Sequence, residues 1–541
     1  MSAEVPAVVQ GESRRWFWLT LGLCGAVLLS TLWVLRHRTA IKNPDEASYC
    51  EQADSLLRNG SLDVGFVRYF HEKYPPSIHH PEDFYPPGNG ALIAAAWKVF
   101  GRSDAVSALP SALMACLLLP LIVFGLARRF GAGPPFAFVA AVSVMLDITI
   151  RDHAYEAMAD LPLTTAVTAG LLVSLKRGPL PALWSGLLLA AAFWLKPTAL
   201  LFLPGMGLAL CLAERQTLRQ AAVRLAVFGA VFVVACLPWL LRNHALFGSY
   251  LYSGNMHLTA AANDPKFVYT DIRRVHWFGD GQSGPGLASS YFAYGIGPVV
   301  KRFLLHVYEI AVVHGPLAFG GLFVLALMSL WKRRHAAAAI AWIVLYLGAL
   351  SAVFAIFYRY LLPVLPVVVA LNWSFVDSFV RRFGRTDFGN ILEHHVATPG
   401  RAALLLAAIV AIPGGAELAR DVATGRQFVE QPDLALHAAA KWSREHLDTD
   451  AVVMIQEALV YRHVSGLRSV DTPFDTPEAI EAVIQHYEVD YLITVESGQF
   501  AEITTQFVFP YLEQYRSKWT RLDPQGTTFS VWVREGAKLP H

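Results

Sequence analysis

An acidic pair, Asp45-Glu46, stands shortly after the first long hydrophobic segment of this chain. It opens a polar loop, residues 36–104, that is rich in carboxylate, histidine and tyrosine side chains and that includes Tyr85. A carboxylate fixed at the start of a helix is well placed to take a proton from a nucleophile. A large loop of this composition between two hydrophobic segments therefore indicates chemistry at a membrane surface.

Later loops add further ionisable side chains that the topology below assigns to the same side of the membrane. These are Glu156, Asp160, Lys196, Arg242 and Arg359, with Tyr360 next to the last of them. The three basic residues stand at the ends of hydrophobic segments, within reach of a phosphate at the interface. Snorkelling to lipid headgroups would explain each of them singly, whereas their common side favours an enzyme that acts on a charged headgroup.

The composition indicates the class of protein. Of 541 residues, 55% are hydrophobic and 16% are charged, whereas soluble proteins carry about 25% charged residues. Runs of about 20 apolar residues are typical of transmembrane helices. The net charge of +2 gives no indication of a polyanionic partner such as a nucleic acid. We therefore expect an α-helical polytopic membrane protein.

The pattern of hydrophobic segments predicts about eleven transmembrane helices. The expected spans are 16–35, 105–127, 134–150, 161–175, 181–195, 198–213, 221–241, 307–331, 336–357, 361–379 and 402–413. Lys and Arg concentrate in the short connections on one side, which the positive-inside rule assigns to the cytoplasm. The acidic loop, the later site residues and the C-terminal segment then lie outside the cytoplasm.

We expect two domains. Residues 1–413 would form the transmembrane catalytic domain, including the large first loop, and residues 414–541 a small extracytoplasmic α/β domain. In that tail the sequence predicts buried strands at 451–455 and 490–495, a helix at 476–487 and a pair of strands at 518–522 and 527–533. Strands that alternate with helices are typical of α/β domains.

The acidic pair also has a purely structural explanation. Asn43 is a good N-cap, Pro44 suits the first helical position, and Glu46 can close a capping box. The predicted helix runs from Asp45 to Leu57. Capping explains Glu46 as readily as catalysis does, but it explains Asp45 less well, so Asp45 is the candidate general base.

The motifs and their order resemble the glycosyltransferase C superfamily, and most closely its bacterial protein-mannosyltransferase-like branch, which includes the aminoarabinose transferases of lipid A. The resemblance covers roughly residues 16–375. The matching motifs are Pro-Asp-Glu-x-x-Tyr-x-x-x-Ala at 44–53, Tyr-Pro-Pro-Gly at 85–88, Glu-Ala-Met-Ala-Asp-Leu-Pro at 156–162, Trp-Leu-Lys-Pro at 194–197, Pro-Trp-Leu-Leu-Arg-Asn at 238–243 and Arg-Tyr-Leu-Leu-Pro at 359–363. One departure is Phe84-Tyr85-Pro86-Pro87, since aminoarabinose transferases have Glu-Lys-Pro-Pro there, and this leaves the sugar open.

The resemblance implies a hexosyl- or pentosyltransferase at the periplasmic face of the inner (plasma) membrane. It would move a sugar from a polyprenyl-phosphate-linked donor to an acceptor that is lipid A, another glycan, a lipid or a protein. The catalytic acids would be Asp45, Glu46, Asp160 and Glu156, with Asp160 favoured as the second acid of the family. The donor phosphate would be bound by Lys196, Arg242, Arg359, Tyr85 and Tyr360.

Some alternatives stay open. Glu156 and Asp160 are neighbours at i, i+4 if their loop is helical, and pairing with Arg151 or His153 explains Glu156 equally well. Either acid would suit a divalent metal ion, but no spacing in the sequence identifies metal ligands. Other functions to weigh are a polytopic transporter, a ligase acting on a lipid-linked glycan, and a sensor or scaffold.

Overall fold

The structure is a computed structural model of the chain. It describes residues 7–41, 43–70, 75–212, 215–254, 273–275, 296–310, 320–353, 358–383, 399–425, 434–495 and 500–541. The chain divides into two compact units. The helical unit contains residues 1–38, 100–252 and 294–427, and the mixed unit contains residues 39–99, 253–293 and 428–541.

This division differs from the expected domain boundary in two respects. The boundary after residue 413 falls inside the helix Pro399–Thr424, because Pro413 is accommodated within that helix. The first loop, residues 39–99, groups with the C-terminal segment and not with the helices that flank it in sequence. The physical reason is a shared β-sheet, described below.

The described part of the helical unit consists of apolar helices and short turns. Its α-helices are Ala7–Leu35, Asp104–Ser107, Leu109–Leu113, Leu119–Phe130, Pro134–Met145, Ile148–Ala154, Asp160–Ser174, Pro179–Leu195, Leu203–Leu212, Leu218–Phe247, Ile296–Tyr308, Gly320–Leu330, Arg334–Val353, Leu365–Phe383 and Pro399–Thr424, with a π-helical turn at Met114–Leu118 and 3₁₀ turns at Pro197–Phe202 and Tyr358–Leu361. The predicted α-helical membrane fold is confirmed.

Within the described part of the chain, fewer helices than the expected eleven have the length and composition of a membrane span; parts of the expected spans 307–331 and 336–357 lie outside the described residues. Among the described residues, five helices are long and apolar enough to cross a membrane, and a sixth counts if Pro134–Met145 and Ile148–Ala154 form one span bent by 55°. Several other expected spans are apolar but short, because they are interrupted by polar or proline residues. Their helices are Asp160–Ser174, Pro179–Leu195 and Pro197–Leu212.

Two of these interruptions place site residues at helix ends. Asp160 is the first residue of its helix, after a non-helical stretch at 155–159. Lys196 is the C-cap of Pro179–Leu195 and has an extended backbone, with φ −159° and ψ 133°. Pro197 explains this conformation, since a residue before proline is disfavoured in the α region.

The mixed unit combines helices with a six-stranded sheet and a separate two-stranded sheet formed by Asp63–Val64 and His80–Pro81. Its α-helices are Pro44–Asn59, Gly88–Phe100, Leu434–His446, Ala458–Ser465, Pro477–His486, Phe500–Ile503 and Phe509–Gln514, with a π-helical turn at Thr504–Val508 and a 3₁₀ turn at Arg516–Lys518. Its strands are β1 Asp63–Val64, β2 Phe66–Val67, β3 His80–Pro81, β4 Val452–Ile455, β5 Arg468–Asp471, β6 Tyr491–Val495, β7 Trp519–Leu522 and β8 Phe529–Arg534.

The sheet order is β2-β5-β4-β6-β8-β7. Strands β2, β5, β4 and β6 are parallel, whereas β8 and β7 are antiparallel additions. The strands β4, β6, β7 and β8 and the helix Pro477–His486 match the elements expected from the sequence. The strands β5 and β2 were not expected, and β2 comes from the first loop.

The first loop also contributes to the hydrophobic core of the mixed unit. Val67 and Phe70 are fully buried in one cluster with Met454, Val470 and Leu492 from the C-terminal strands. Burial of such side chains stabilises a fold by about 1.5–3 kcal/mol each. The loop is therefore an integral part of this unit.

Candidate functional site

Asp45 lies in the first turn of the helix Pro44–Asn59, as the sequence predicted. The side chain of Asn43 accepts a hydrogen bond from the backbone N–H of Asp45 at 2.9 Å, and Glu46 closes the capping box toward the Asn43 N–H at 3.4 Å. Gly60 ends the helix in a left-handed conformation with φ +66°. The carboxylate of Glu46 is thus engaged in capping, while the side chain of Asp45 is 17% exposed.

The carboxylate of Asp45 is held from the other end of the loop by Tyr85. The Tyr85 hydroxyl donates a hydrogen bond to Asp45 Oδ1 at 2.7 Å. The Tyr85 ring packs against Tyr49 of the Asp45 helix, with ring centroids 4.7 Å apart. The hydrogen bond to Asp45 Oδ1 therefore joins two residues that are 40 positions apart in the sequence.

Glu82 shapes the backbone that presents Tyr85. Its Oε1 accepts hydrogen bonds from the N–H groups of Phe84 and Tyr85 at 2.8 and 2.9 Å. Burial, with a smaller effect of the neighbouring Asp83, raises the pKa of Glu82 above its ordinary value. This buried acid therefore acts on the position of the loop and does not face the solvent.

Arg68 completes this group, and sequence reasoning missed it. Its Nη2 lies 3.6 Å from Asp45 Oδ1, within ion-pair distance, and its side chain is only 9% exposed. The guanidinium carbon lies 4.7 Å from the centroid of the Phe84 ring, as in cation–π contacts. We call Asp45, Arg68 and Tyr85 the Asp45 cluster.

A second group of ionisable residues lies in the helical unit. Lys196 Nζ donates to Asp160 Oδ1 at 2.8 Å, and both side chains are buried, with 5% and 3% exposed. The same ammonium lies 4.7 Å from the centroid of the Tyr360 ring. Asp160 also lies in the field of the positive charge on Arg359. We call Asp160, Lys196, Arg359 and Tyr360 the Asp160 cluster.

Two contacts fix the short turn that carries Arg359 and Tyr360. The hydroxyl of Tyr346 donates to the backbone carbonyl of Tyr360 at 2.6 Å. The guanidinium carbon of Arg359 lies 5.5 Å from the centroid of the Tyr360 ring. Lys196 and Arg359 thus both lie beside the Tyr360 ring within one unit.

Arg242 has different surroundings. It lies near the end of the helix Leu218–Phe247, where its guanidinium stacks 4.5 Å from the centroid of the Trp239 ring and donates to Asn243 Oδ1 at 3.2 Å. These contacts run along its own helix. These contacts of Arg242 differ from those that join Lys196 to Asp160 and Tyr360.

For Glu156 the structure favours one of the two expected alternatives, a contact with His153. The stretch 155–159 is not helical, so Glu156 and Asp160 are not i, i+4 neighbours on one helix. Glu156 Oε2 lies 3.9 Å from His153 Nε2, and its side chain is 38% exposed. Arg151, the other expected partner, instead forms a buried ion pair with Asp421 of the helix Pro399–Thr424.

The described residues contain no group of three or more His, Cys, Asp or Glu side chains placed to hold a metal ion. Around His79-His80, the contacts are pairwise, with His79 Nε2 at 3.9 Å from Asp63 and His80 Nε2 at 4.0 Å from Asp83. The carboxylate of Glu82 is turned to backbone N–H groups. The loop histidines therefore take part in local polar contacts.

The sequence of the central region matches a known family. Residues 81–241 match the family model described as dolichyl-phosphate-mannose-protein mannosyltransferase. This range includes Tyr85, Glu156, Asp160 and Lys196, whereas Asp45 precedes it and Arg359 follows it. No curated protein sequence matches the chain significantly.

Two solved structures share the fold of nearly the whole chain. ArnT from Cupriavidus metallidurans bound to undecaprenyl phosphate has a TM-score of 0.61 and 15% identity, covering 96% of this chain and 98% of that one. The oligosaccharyltransferase of Archaeoglobus fulgidus in complex with Zn and sulfate has a TM-score of 0.57 and 13% identity, covering 95% of this chain and 73% of that one.

These similarities confirm the predicted resemblance to the glycosyltransferase C superfamily, to which both solved relatives belong. At 13–15% identity the structural similarity concerns the fold. The sequence similarity to a membrane glycosyltransferase family rests on residues 81–241. The chain is thus similar in sequence to a mannosyltransferase family over residues 81–241 and shares the fold of the two solved proteins over nearly its whole length.

Proposed function

We propose that this protein is a membrane glycosyltransferase that moves a sugar from a polyprenyl-phosphate donor to a hydroxyl group of an extracytoplasmic acceptor. The observation that carries the proposal is the carboxylate of Asp45, which is fixed by the Tyr85 hydroxyl at 2.7 Å yet keeps some exposure to solvent. A fixed and accessible carboxylate is what a general base requires.

The reaction that we propose is a displacement at the anomeric carbon. The acceptor oxygen forms a bond to that carbon, the bond from the carbon to the phosphate oxygen breaks, and polyprenyl phosphate leaves with the bonding electrons. The acceptor proton passes to the carboxylate of Asp45. Glu46 supports this role indirectly, since it caps the helix that carries Asp45.

The leaving phosphate gains negative charge, and fixed positive charge stabilises such a group in a transition state. We propose that the Asp160 cluster supplies it through Lys196 and Arg359. An ammonium has three N–H donors, so Lys196 can bond Asp160 and a phosphate oxygen together. Asp160 then orients the lysine. Tyr85, Arg242 and Glu156 would contribute less to binding the phosphate. Their contacts are with Asp45, with Trp239 and Asn243, and with His153, respectively.

The similarity to ArnT supports a polyprenyl-phosphate donor, since that relative was solved with undecaprenyl phosphate. The acceptor is a lipid, a glycan such as lipid A, or a protein. We propose that the first loop and the tail face the periplasm of an inner-membrane protein. This orientation follows from the positive-inside distribution of Lys and Arg.

The decisive experiment is a donor assay with the purified protein in nanodiscs. Radiolabelled polyprenyl-phosphate sugars, polyprenyl-diphosphate glycans and free sugars are each offered with delipidated membrane extract as acceptor. We expect transfer and release of polyprenyl phosphate from the first donor class. Transfer from the diphosphate glycan alone would instead identify a ligase. Uptake of free sugar into sealed proteoliposomes carrying the protein, without transfer, would identify a transporter.

The orientation is tested separately by cysteine labelling in a variant without the five native cysteines. His79→Cys and Lys538→Cys should react with a membrane-impermeant thiol reagent from the periplasmic side, and Lys332→Cys only after permeabilisation. These three side chains are exposed. Labelling of His79→Cys from the cytoplasmic side alone would contradict the proposed orientation.

A further inference from the structure

The backbone next to the Asp45 cluster is built by the C-terminal part of the chain. Strand β2 pairs in parallel with β5, with Phe66 opposite Ser469 and Val67 opposite Val470. The N–H of Ser469 also donates to the carbonyl of Gly65 at 3.3 Å. Arg68 is the residue that follows β2, so strand pairing fixes the point from which its side chain extends.

A second contact ties the Asp45 helix to the same C-terminal region. Arg462 lies on the helix Ala458–Ser465, which leads into β5, and its Nε donates to Glu51 Oε1 at 3.1 Å. Its guanidinium carbon stands 3.0 Å from the point where a Cβ on Gly65 would lie, so glycine permits this approach. The helix of Asp45 and the strand before Arg68 are therefore anchored to one element.

The side chain of Arg68 is held beside Asp45 by its burial among aromatic rings. It is buried, and Phe84 lies under its guanidinium carbon at 4.7 Å, while the ring centroids of Tyr69 and Tyr85 lie at 5.8 Å. A guanidinium enclosed by aromatic rings keeps its charge and has few alternative rotamers. Its Nη2 points toward Asp45 Oδ1 at 3.6 Å, the oxygen that accepts the Tyr85 hydrogen bond.

We propose that Arg68 is a positioning residue for the reaction, which holds Asp45 ionised and oriented, and that the C-terminal sheet serves to place it. This inference rests on the proposed function. A carboxylate next to a buried cation stays ionised to lower pH, so Asp45 would remain able to accept a proton in a mildly acidic periplasm. The tail of the chain is then a support for the base.

The charged and titratable groups that face Asp45 in the described part of the molecule bear on this interpretation. Arg68 follows β2, Tyr85 and the buried Glu82 belong to the next loop, and Glu46 follows Asp45 on its own helix. Glu46 is bonded to the Asn43 N–H and Glu82 to loop N–H groups. Both acids are neutral or negatively charged, so neither can replace the positive charge of Arg68 beside Asp45.

The test is the pH dependence of kcat/KM for sugar transfer, whose acid limb reports the essential base of the free enzyme. Arg68→Gln should move the acid limb to higher pH by about 1 pH unit or more, because an opposite charge at this distance favours the ionised acid. Above the limb its rate should recover toward that of the wild type. Arg468→Gln, at an exposed position on β5, is the matched control and should leave the limb unchanged.

Arg68→Lys keeps a buried cation and serves as the second variant if Arg68→Gln does not fold. Its shorter reach to Asp45 should give an upward shift of the limb smaller than that of the glutamine variant. An unchanged acid limb in a folded variant at position 68 would overturn the positioning role. Unimpaired transfer by Asp45→Asn would instead overturn the proposed function, so the two failures are distinguishable.

Discussion

The two clusters contain the same pair of chemical groups, a carboxylate and a cation, in opposite arrangements. In the Asp160 cluster the carboxylate is buried and bonded directly to Lys196 at 2.8 Å. In the Asp45 cluster the carboxylate is partly exposed, accepts a neutral hydroxyl at 2.7 Å and keeps its arginine at 3.6 Å.

This difference separates two uses of an acid. A carboxylate locked in a buried ion pair cannot accept a proton without losing its partner, and a broken buried pair costs about 3–5 kcal/mol. A carboxylate held by a hydroxyl can accept a proton at lower cost. The geometry therefore favours Asp45 as the base and Asp160 as the residue that orients Lys196.

Asp45→Asn gives the largest expected effect on turnover. The amide keeps the shape and the partly exposed position but cannot take the acceptor proton, so transfer should fall about 10²–10⁴-fold. Donor binding and folding should be retained. The measurement is single-turnover transfer in nanodiscs at saturating donor.

Asp54→Asn is the matched control, since Asp54 lies on the same helix and pairs with the exposed Arg58 at 3.0 Å. It should transfer sugar like the wild type. Retention of more than a tenth of wild-type transfer by Asp45→Asn would remove Asp45 from the role of base.

Lys196→Met should mainly destabilise the helical unit. It leaves the buried carboxylate of Asp160 without its ion-pair partner, which costs about 3–5 kcal/mol. Combining it with Asp160→Asn removes the uncompensated charge, so the double variant should be more stable than Lys196→Met alone. Thermal unfolding in detergent measures both, with Lys332→Met as an exposed control.

The double variant also separates stability from function. It should remain folded yet lose donor affinity, because no ammonium is left for the phosphate. If it bound polyprenyl-phosphate donor like the wild type, the Asp160 cluster would be a structural pair only.

Arg359→Ala should weaken donor binding by about 10–150-fold, the equivalent of one hydrogen bond to a charged group at about 1.5–3 kcal/mol. Arg242→Ala should have a smaller effect, since Arg242 contacts Trp239 and Asn243 of its own helix. Donor affinity is measured against a neutral polyprenol as control. An equal loss in both variants would mean that Arg242 joins the phosphate site when donor is bound.

Glu82→Gln has the smallest expected effect. An amide oxygen can still accept hydrogen bonds from the N–H groups of Phe84 and Tyr85. The free energy of unfolding near neutral pH should therefore change by less than about 1 kcal/mol. Burial raises the pKa of Glu82 in the folded state, so its contribution to stability is present at low pH and is lost as the pH rises through that raised pKa. The glutamine variant should therefore gain stability relative to the wild type with increasing pH, and a relative loss would contradict the assignment.

Short-range sequence signals predicted the local structure around several of the candidate site residues. The N-cap Asn43, Pro44 and the terminal Gly60 predicted the helix of Asp45 closely, because each satisfies a local backbone requirement. Pro197 marked the break that leaves Lys196 at a helix end. The motifs in order predicted the superfamily. These features depend on residues that are neighbours in the chain.

The missing parts depend on distant pairing. Strand β2 has two residues, too few for a periodicity signal, and it is stabilised by β5. Arg68 stands between Phe66-Val67 and Tyr69-Phe70, which hints at burial of this stretch, but the sequence does not show that the side chain of Arg68 itself reaches Asp45. Residues 155–159 lie in the predicted loop between two spans, and the loop is not helical there, so the conditional i, i+4 relation between Glu156 and Asp160 does not hold.

The contact between Glu51 and Arg462 joins positions 411 residues apart, and this has a consequence for biosynthesis. At about 5–20 residues per second, the ribosome needs roughly 20–80 s to make the intervening chain. During that interval the first loop lacks the strand and the arginine that complete its surroundings. The Asp45 cluster is therefore completed last, and a nascent or prematurely terminated chain would lack its finished geometry.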